Sequence, residues 1–305
     1  MRLFKKSRKF ISYWLLSEGI KSLYKSIKRR YNTTPNKSSS SDFETWAATL
    51  RQRNTTFQNK HSGSRCFILA TGPSLNHQNL KPLAGELCIG VSFFFLHPDA
   101  KFIQPEYHVC APNHAPFDFE LTQKYITGLE AAYSHNYKLF YGYTPYQYSC
   151  LEYLNNKANK SVSDAFHIID YTQQRQLYEN TFSDASLWDI SGNPFAMRTV
   201  IYGAIQLAAY LGCSEIILVG CDHDYLKDTT RYSNHFYVEK NGNDKDAVHL
   251  NNFNTEKWFF EYYSRWRDYR IMQSYLQFKN IQIINATHGG LLDVFPRKTL
   301  DSLLK

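Results

Sequence analysis

The chain lacks most of the signatures that would name a chemistry at once. No Cys-x-x-Cys pair occurs among its six cysteines, which removes the common zinc and dithiol-redox spacings. No Gly-Lys-Ser/Thr follows its glycine turns and no Gly-x-Gly-x-x-Gly is present, so neither a Walker loop nor the dinucleotide fingerprint is available. The absence of a Gly-x-Ser-x-Gly elbow argues against Ser-His-Asp hydrolase chemistry. No apolar run approaches the roughly 20 residues that span a bilayer, and no small-residue cleavage site marks a secretory signal. Internal repeats are also missing. Cys66, Cys88, Cys110, Cys150, Cys213 and Cys221 fall mostly in apolar, strand-like runs, and they read as buried reduced thiols of a cytoplasmic protein.

With 305 residues and 43% apolar content, the chain can bury a substantial core. The formal charge of +8 is unevenly placed: residues 1–41 hold eleven Lys/Arg against one acid, and the remainder is slightly acidic. Leu16, Ile20, Leu23 and Ile27 recur at helical spacing in that arm, among Lys21, Lys25, Lys28, Arg29 and Arg30. The pattern predicts a basic amphipathic helix over 1–31, followed by a polar linker over 32–42 with Pro35 and the run Ser38 to Ser41. Such a helix suits an anionic membrane surface, where each basic residue contributes about 1 kcal/mol. This leads to the expectation of a cytoplasmic protein peripheral to the inner face of the membrane. Docking of the helix on the body or on a partner is the alternative. A nucleic-acid partner is not expected, because the acidic body continues no basic track.

From residue 43 onward, apolar runs alternate with helical patterns. Strands are expected over 66–70, 87–93, 107–110, 138–143, 165–169, 215–219 and 281–284, an Ala-rich helix over 195–211 closed by Gly212, and an aromatic helix over 258–275. Alternation of this kind implies a doubly wound α/β domain over 43–305, with a mostly parallel Rossmann-like sheet and a helical lid insertion toward the C-terminus.

Ligands of open α/β sheets bind outside the carboxyl ends of strands, so the residues just beyond each strand carry the candidate chemistry. Thr71-Gly72-Pro73-Ser74 follows the first strand, and a small-residue turn opening a helix presents outward backbone N–H groups that favour phosphate. Gly220-Cys221-Asp222-His223-Asp224-Tyr225 follows the sixth strand. Asn285-Ala286-Thr287-His288-Gly289-Gly290 follows the seventh. Asp222, His223 and Asp224 are metal-ligand types, but strand alternation converges only two of the three. The more economical reading has Asp222 orienting groups at the strand end while His223 or a loop histidine moves a proton, with no metal assigned. His235 and His249 flank the polar loop 239–246, a candidate lid. Asn193 is placed as a cap of the Ala-rich helix, with Arg198 and Thr199 in its opening turns as a second anion contact.

Gly72-Pro73-Ser74-Leu75 after a first strand, Gly220-x-Asp222-x-x-Tyr225, and Asn285-Ala-Thr287-x-Gly289-Gly290-x-Leu292 with Phe295-Pro296-Arg297 resemble the 6-hydroxymethylpterin diphosphokinase-like family. That family includes flagellin-glycosylating motility accessory factors. The pattern is also similar to bacterial CMP-sialic-acid-dependent sialyltransferases, and the resemblance covers roughly residues 64–300. It departs from them at Ala70-Thr71, which stands where Gly-Asn would precede the turn. The sialyltransferase resemblance implies a CMP-activated acidic sugar as donor, a glycan or glycolipid acceptor, no further cofactor, and a lid histidine, His235 or His249, as general base. The nucleotide would be held by Thr71, Gly72, Pro73, Ser74, Asn193, Arg198, Thr199, Asp222, Tyr225, Asn285 and Thr287. The diphosphokinase resemblance would instead imply ATP, magnesium and a hydroxymethylpterin-like acceptor; a non-catalytic nucleotide-sugar binder is the third reading.

Overall fold

In the computed structural model, residues 41–115, 117–133, 137–156, 164–224, 235–237 and 254–304 are described. The helix expected over 1–31, most of the linker over 32–42, the loop 239–246, Tyr225 and His249 lie outside them. The chain separates into two units, Met1–Glu44 and Thr45–Lys305, and the second holds the sheet.

Seven strands form that sheet: β1 Arg65–Leu69, β2 Cys88–Val91, β3 Tyr107–Cys110, β4 Lys138–Tyr143, β5 Phe166–Asp170, β6 Glu215–Val219 and β7 Gln282–Asn285. Their order is β5-β4-β3-β2-β1-β6-β7, and every pairing is parallel. The central strand β1, Arg-Cys-Phe-Ile-Leu, is buried at four of its five positions, as a strand covered on both faces must be. Its register sets Cys66 against Ile216 and Phe67 against both Ile217 and Cys88.

The two faces follow from strand alternation. Cys66, Ile68, Ile89, Val91, Tyr107, Val109, Ile216 and Leu218 pack with α5 (Val200–Tyr210) and with Tyr269, Met272 and Leu276 of α6 (Thr255–Phe278). The alternate residues, among them Phe67, Leu69, His108 and Cys110, are also buried. Of the remaining helices, α1 is Ser41–Gln52, α2 Ala100–Ile103, α3 Phe119–Ala132, α4 Cys150–Asn156 and α7 Leu300–Leu303. α5 lies across β1, β2 and β3. Its small residues permit the approach: a Cβ at Gly203 would stand 3.3 Å from Val109 Cγ1. Gly212, at φ +83°, ends α5 in the left-handed conformation that suits glycine.

Two elements depart from expectation. The Ala-rich helix begins at Val200, not at residue 195, and Thr199 is its N-cap. Long-range bonds explain the shortening: Phe195 N–H donates to the Leu187 carbonyl and Ala196 N–H to the Arg175 carbonyl, while the fully buried Gln206 donates its Nε2 to the Phe195 carbonyl and accepts from Tyr171 at Oε1, and together they hold Phe195 outside the helix. Asn193 therefore caps nothing; its side chain reaches the Asp170 carbonyl. After β1, the chain enters a five-residue 3₁₀ turn, Pro73–His77, where an α-helix was expected.

The direction of winding fixes the ligand crevice. From β1 the chain steps outward to β5, then returns to lay β6 on the other side of β1. The carboxyl ends of β1 and β6 flank this reversal, the switch point at which open α/β sheets bind ligands.

Candidate functional site

Thr71 and Gly72 leave β1 beside Gly220, Cys221 and Asp222 leaving β6, and the backbones are tied directly. The Ala70 N–H donates to the Val219 carbonyl and the Gly72 N–H to the Gly220 carbonyl, both at 2.9 Å. Gly72 must be glycine here, because a Cβ would overlap the Asp222 carboxylate and lie 2.5 Å from Gly220 O. Ser74 donates to the same carboxylate twice, from its N–H to Oδ1 at 3.2 Å and from its Oγ–H to Oδ2 at 2.7 Å.

These bonds correct the expectation of outward-pointing amides at the turn. The Gly72 N–H is taken by Gly220, the Ser74 N–H by Asp222 and the Leu75 N–H by the Gly72 carbonyl; Pro73 has none to offer. The turn already holds an anion, the side chain of Asp222. Burial pushes that carboxyl above its ordinary range, with nearby Asp224 adding to the rise, while the two Ser74 donors act in the opposite direction.

The loop after β7 closes the floor. Cys221 N–H donates to Thr287 Oγ1 at 2.9 Å, and Thr287 N–H donates to Asn285 Oδ1 at 3.0 Å. Leu291 N–H reaches the Asp222 carbonyl. Gly290, at φ +81°, lies so close that a Cβ would meet the Asp222 backbone at 2.8 Å. Arg297 clasps this loop through the carbonyls of Thr287, Gly289 and Leu292.

His235 stands over the other side of the turn. Its Nδ1 is hydrogen-bonded to Thr71 Oγ1 at 3.0 Å, and the next residue, Phe236, donates its N–H to the Thr71 carbonyl. The imidazole stacks on Tyr237 at 5.0 Å with the rings 5° from parallel. Tyr237 in turn leans on Phe93 at the end of β2. Ring plane and Nδ1 are thereby held, which leaves the position of Nε2 set relative to the switch point.

His223, offered by the sequence as a proton-transfer group, is held differently. It is buried, its Nε2 is 2.8 Å from the Tyr269 hydroxyl, and burial assisted by Arg265 presses its pKa down to about 3. It is a neutral structural imidazole under α6. Arg198 is also engaged elsewhere: its guanidinium pairs with Asp268 at 2.9 Å and Glu261 at 3.4 Å, both on α6. Among the described residues, no group of three or more His, Cys, Asp or Glu converges as a metal site. The structure thus gathers Thr71, Gly72, Pro73, Ser74, Asp222, His235, Asn285 and Thr287 around the switch point; it commits Asn193 and Arg198 to other contacts and leaves Thr199 at the head of α5.

Residues beyond β2 went unread in the sequence. Ser92 adopts φ +47° there, and its carbonyl is bonded at 2.8 Å by Nε2 of the buried His108. The expected strand 87–93 took in Phe93, the residue under Tyr237; the observed strand ends at Val91 and leaves it just beyond the strand end.

No protein-family model matches the sequence, and no curated protein matches it. Among solved structures, the chain is similar to a MAf glycosyltransferase from Magnetospirillum magneticum AMB-1, at 13% identity over 84% of this chain with a TM-score of 0.44. It spans only 39% of that protein's length. It is also similar to the sialyltransferase CstII from Campylobacter jejuni in complex with a substrate analogue, cytidine-5'-monophosphate, at 13% identity, 77% of this chain, 85% of that one and a TM-score of 0.44. A further structure, the sialyltransferase CST-II with trisaccharide acceptor and CMP, aligns at 13% identity over 76% of this chain and 85% of that one with a TM-score of 0.40.

Proposed function

We propose that this chain is a glycosyltransferase that moves a sugar from a nucleotide-activated donor, a CMP-linked acidic sugar, to a hydroxyl of a glycan or glycolipid acceptor in surface-polysaccharide assembly. The observation that carries the reading is His235 seated on Thr71 at the β1/β6 switch point, above the Gly72-Pro73-Ser74-Leu75 turn on which the resemblance rests. In this reading His235 takes the proton of the acceptor hydroxyl, and the oxygen attacks the anomeric carbon. The bond from that carbon to the CMP phosphate oxygen breaks, and CMP leaves with the electron pair. Gly72 and Gly290 let the turn and the loop after β7 close on Asp222, which, fixed by Ser74, orients the donor. No cofactor enters the step.

A positioned general base contributes about 10²–10⁴-fold. His235→Ala is therefore expected to lower turnover of a CMP-sugar by at least about 100-fold with donor affinity retained, and His249→Ala to leave turnover intact, measured by CMP release with and without acceptor. Full activity in His235→Ala would overturn the base assignment. Magnesium-dependent binding of ATP in preference to CMP would replace the whole reading with the diphosphokinase one, and CMP binding without turnover would leave a silent binder.

The same proposal places the enzyme at the inner face of a membrane through the basic arm over 1–31, close to a membrane-borne acceptor. Removal of residues 1–41 is expected to abolish co-sedimentation with anionic vesicles without changing affinity for CMP. Undiminished sedimentation would refute the tether.

A further inference from the structure

Away from the switch point, the segment that follows β5 and one face of α6 enclose an open cleft of about 370 Å³, lined by Leu177, Tyr178, Glu179, Asn180, Arg267 and Ile271. We propose that this cleft is a saccharide-binding subsite, sized for one or two pyranose rings. The inference rests on the glycosyltransferase reading only for what the bound sugar is used for.

The lining has two chemistries arranged as a sugar requires. Leu177 and Ile271 are buried and supply an apolar floor. Tyr178 is 56% exposed and stacks on no other ring of the described residues, which leaves its face open to a ligand. Its backbone is anchored at the rim of the cleft: Tyr178 N–H is bonded to Thr181 Oγ1, and its carbonyl accepts from both Thr181 N–H and Thr181 Oγ1.

Around it stand polar groups open to solvent and so to a ligand. The Glu179 carboxylate and the Asn180 amide make no hydrogen bond within the described residues. Arg267 directs Nε and Nη2 to Asp268 Oδ1, which leaves Nη1 without a protein partner there. Clefts of roughly 300–1,000 Å³ with an apolar base and a few placed polar groups are the usual small-molecule sites.

The ligand that matches must have an apolar face for the tyrosine ring and a rim of groups that both donate and accept. A pyranose has both, with axial C–H bonds on one face and hydroxyls at its edge. A nucleotide fits poorly, because Asp268 already neutralises Arg267 and Glu179 would repel a phosphate. Asp268 also accepts from Arg198 Nε at 2.9 Å, so the subsite shares one carboxylate with the segment that leads into α5.

Saturation-transfer NMR on the full chain, with the methyl glycosides of glucose, galactose and N-acetylglucosamine and with lactose, tests the proposal. At least one of these probes should receive saturation from the protein, and Tyr178→Ala and Glu179→Ala should each weaken its binding about tenfold or more. Tyr178→Phe, which keeps the ring, should retain it. Both residues are exposed, so near-ultraviolet circular dichroism should show each variant folded. No transfer to any of the four probes, or transfer unaffected by Tyr178→Ala, would overturn the proposal. Displacement of the bound sugar by CMP would also overturn it, by making this cleft the donor site. CMP titration of the same protein reads the switch-point site separately, so loss of the donor reading with saccharide binding intact would leave the subsite standing.

Discussion

Asp222 accepts two hydrogen bonds from Ser74, 148 residues earlier in the chain, while its carbonyl accepts from Leu291. One residue thus joins the ends of β1 and β6 to the loop after β7. Asp222→Ala would strand the buried N–H and hydroxyl of Ser74 without an acceptor, at a cost of about 1–3 kcal/mol for each, and Asp222→Asn should cost less because one carbonyl oxygen remains. Gly72→Ala acts on the same contact from the other side. Its methyl would overlap the carboxylate and the Gly220 backbone, and overpacking against backbone costs about 1–3 kcal/mol or more. Urea unfolding should show lowered midpoints with unchanged slope for all three. A Gly72→Ala midpoint equal to that of the unaltered chain would mean the turn yields freely.

The strands were legible because a parallel sheet buried on both faces demands continuous apolar runs bounded by turn residues. The expected 107–110, 138–143 and 215–219 coincide with β3, β4 and β6, and the other four lie within one or two residues at each end. The start of α5 was not legible, since it depends on a contact no local window contains. Gln206 reads as an ordinary interior residue of an Ala-rich helix, yet its amide joins Tyr171 to Phe195. The candidate site divides the same way. Gly72, Asp222 and Thr287 were legible as residues past strand ends, whereas the capture of the Ser74 amide by Asp222 is a long-range pairing. Arg198 looked available only because its partners lie on α6, more than sixty residues away. Gln206→Leu would leave the Tyr171 hydroxyl and the Phe195 carbonyl buried and unpaired, with an expected loss of roughly 2–6 kcal/mol at about 1–3 kcal/mol per stranded group. Phe195 stays held by its N–H bond to the Leu187 carbonyl, so far-ultraviolet helicity should not change with the loss of stability.

At the scale of the whole molecule, buried histidines set the response to acid. His108 and His223 are pressed down to about 3 and His167 to about 4, in each case chiefly by burial; Arg53 and Lys138 add to the effect at His167. An unfolded histidine titrates near 6.5, so between roughly pH 6.5 and pH 3 the unfolded chain binds protons that the folded chain refuses. Stability present above pH 6.5 is therefore lost as the pH falls. His97 is also lowered, chiefly by burial, and Asp222, raised by burial, works with the opposite sign as a single carboxyl against four imidazoles. His167 isolates the effect, because it is buried on β5 between Phe57 and Phe140, and neither ring nitrogen has a hydrogen-bond partner. His167→Phe removes no bond and ends one proton uptake. At pH 5 the difference between an unfolded pKa near 6.5 and a folded one of about 4 corresponds to about 2 kcal/mol. The variant should accordingly unfold at higher urea than the unaltered chain at pH 7, where relief of two unpaired nitrogens acts. At pH 5 its stability should fall less from the pH 7 value, by about 2 kcal/mol. Parallel pH profiles for the two proteins would show that His167 is protonated in the folded state, against the burial that surrounds it.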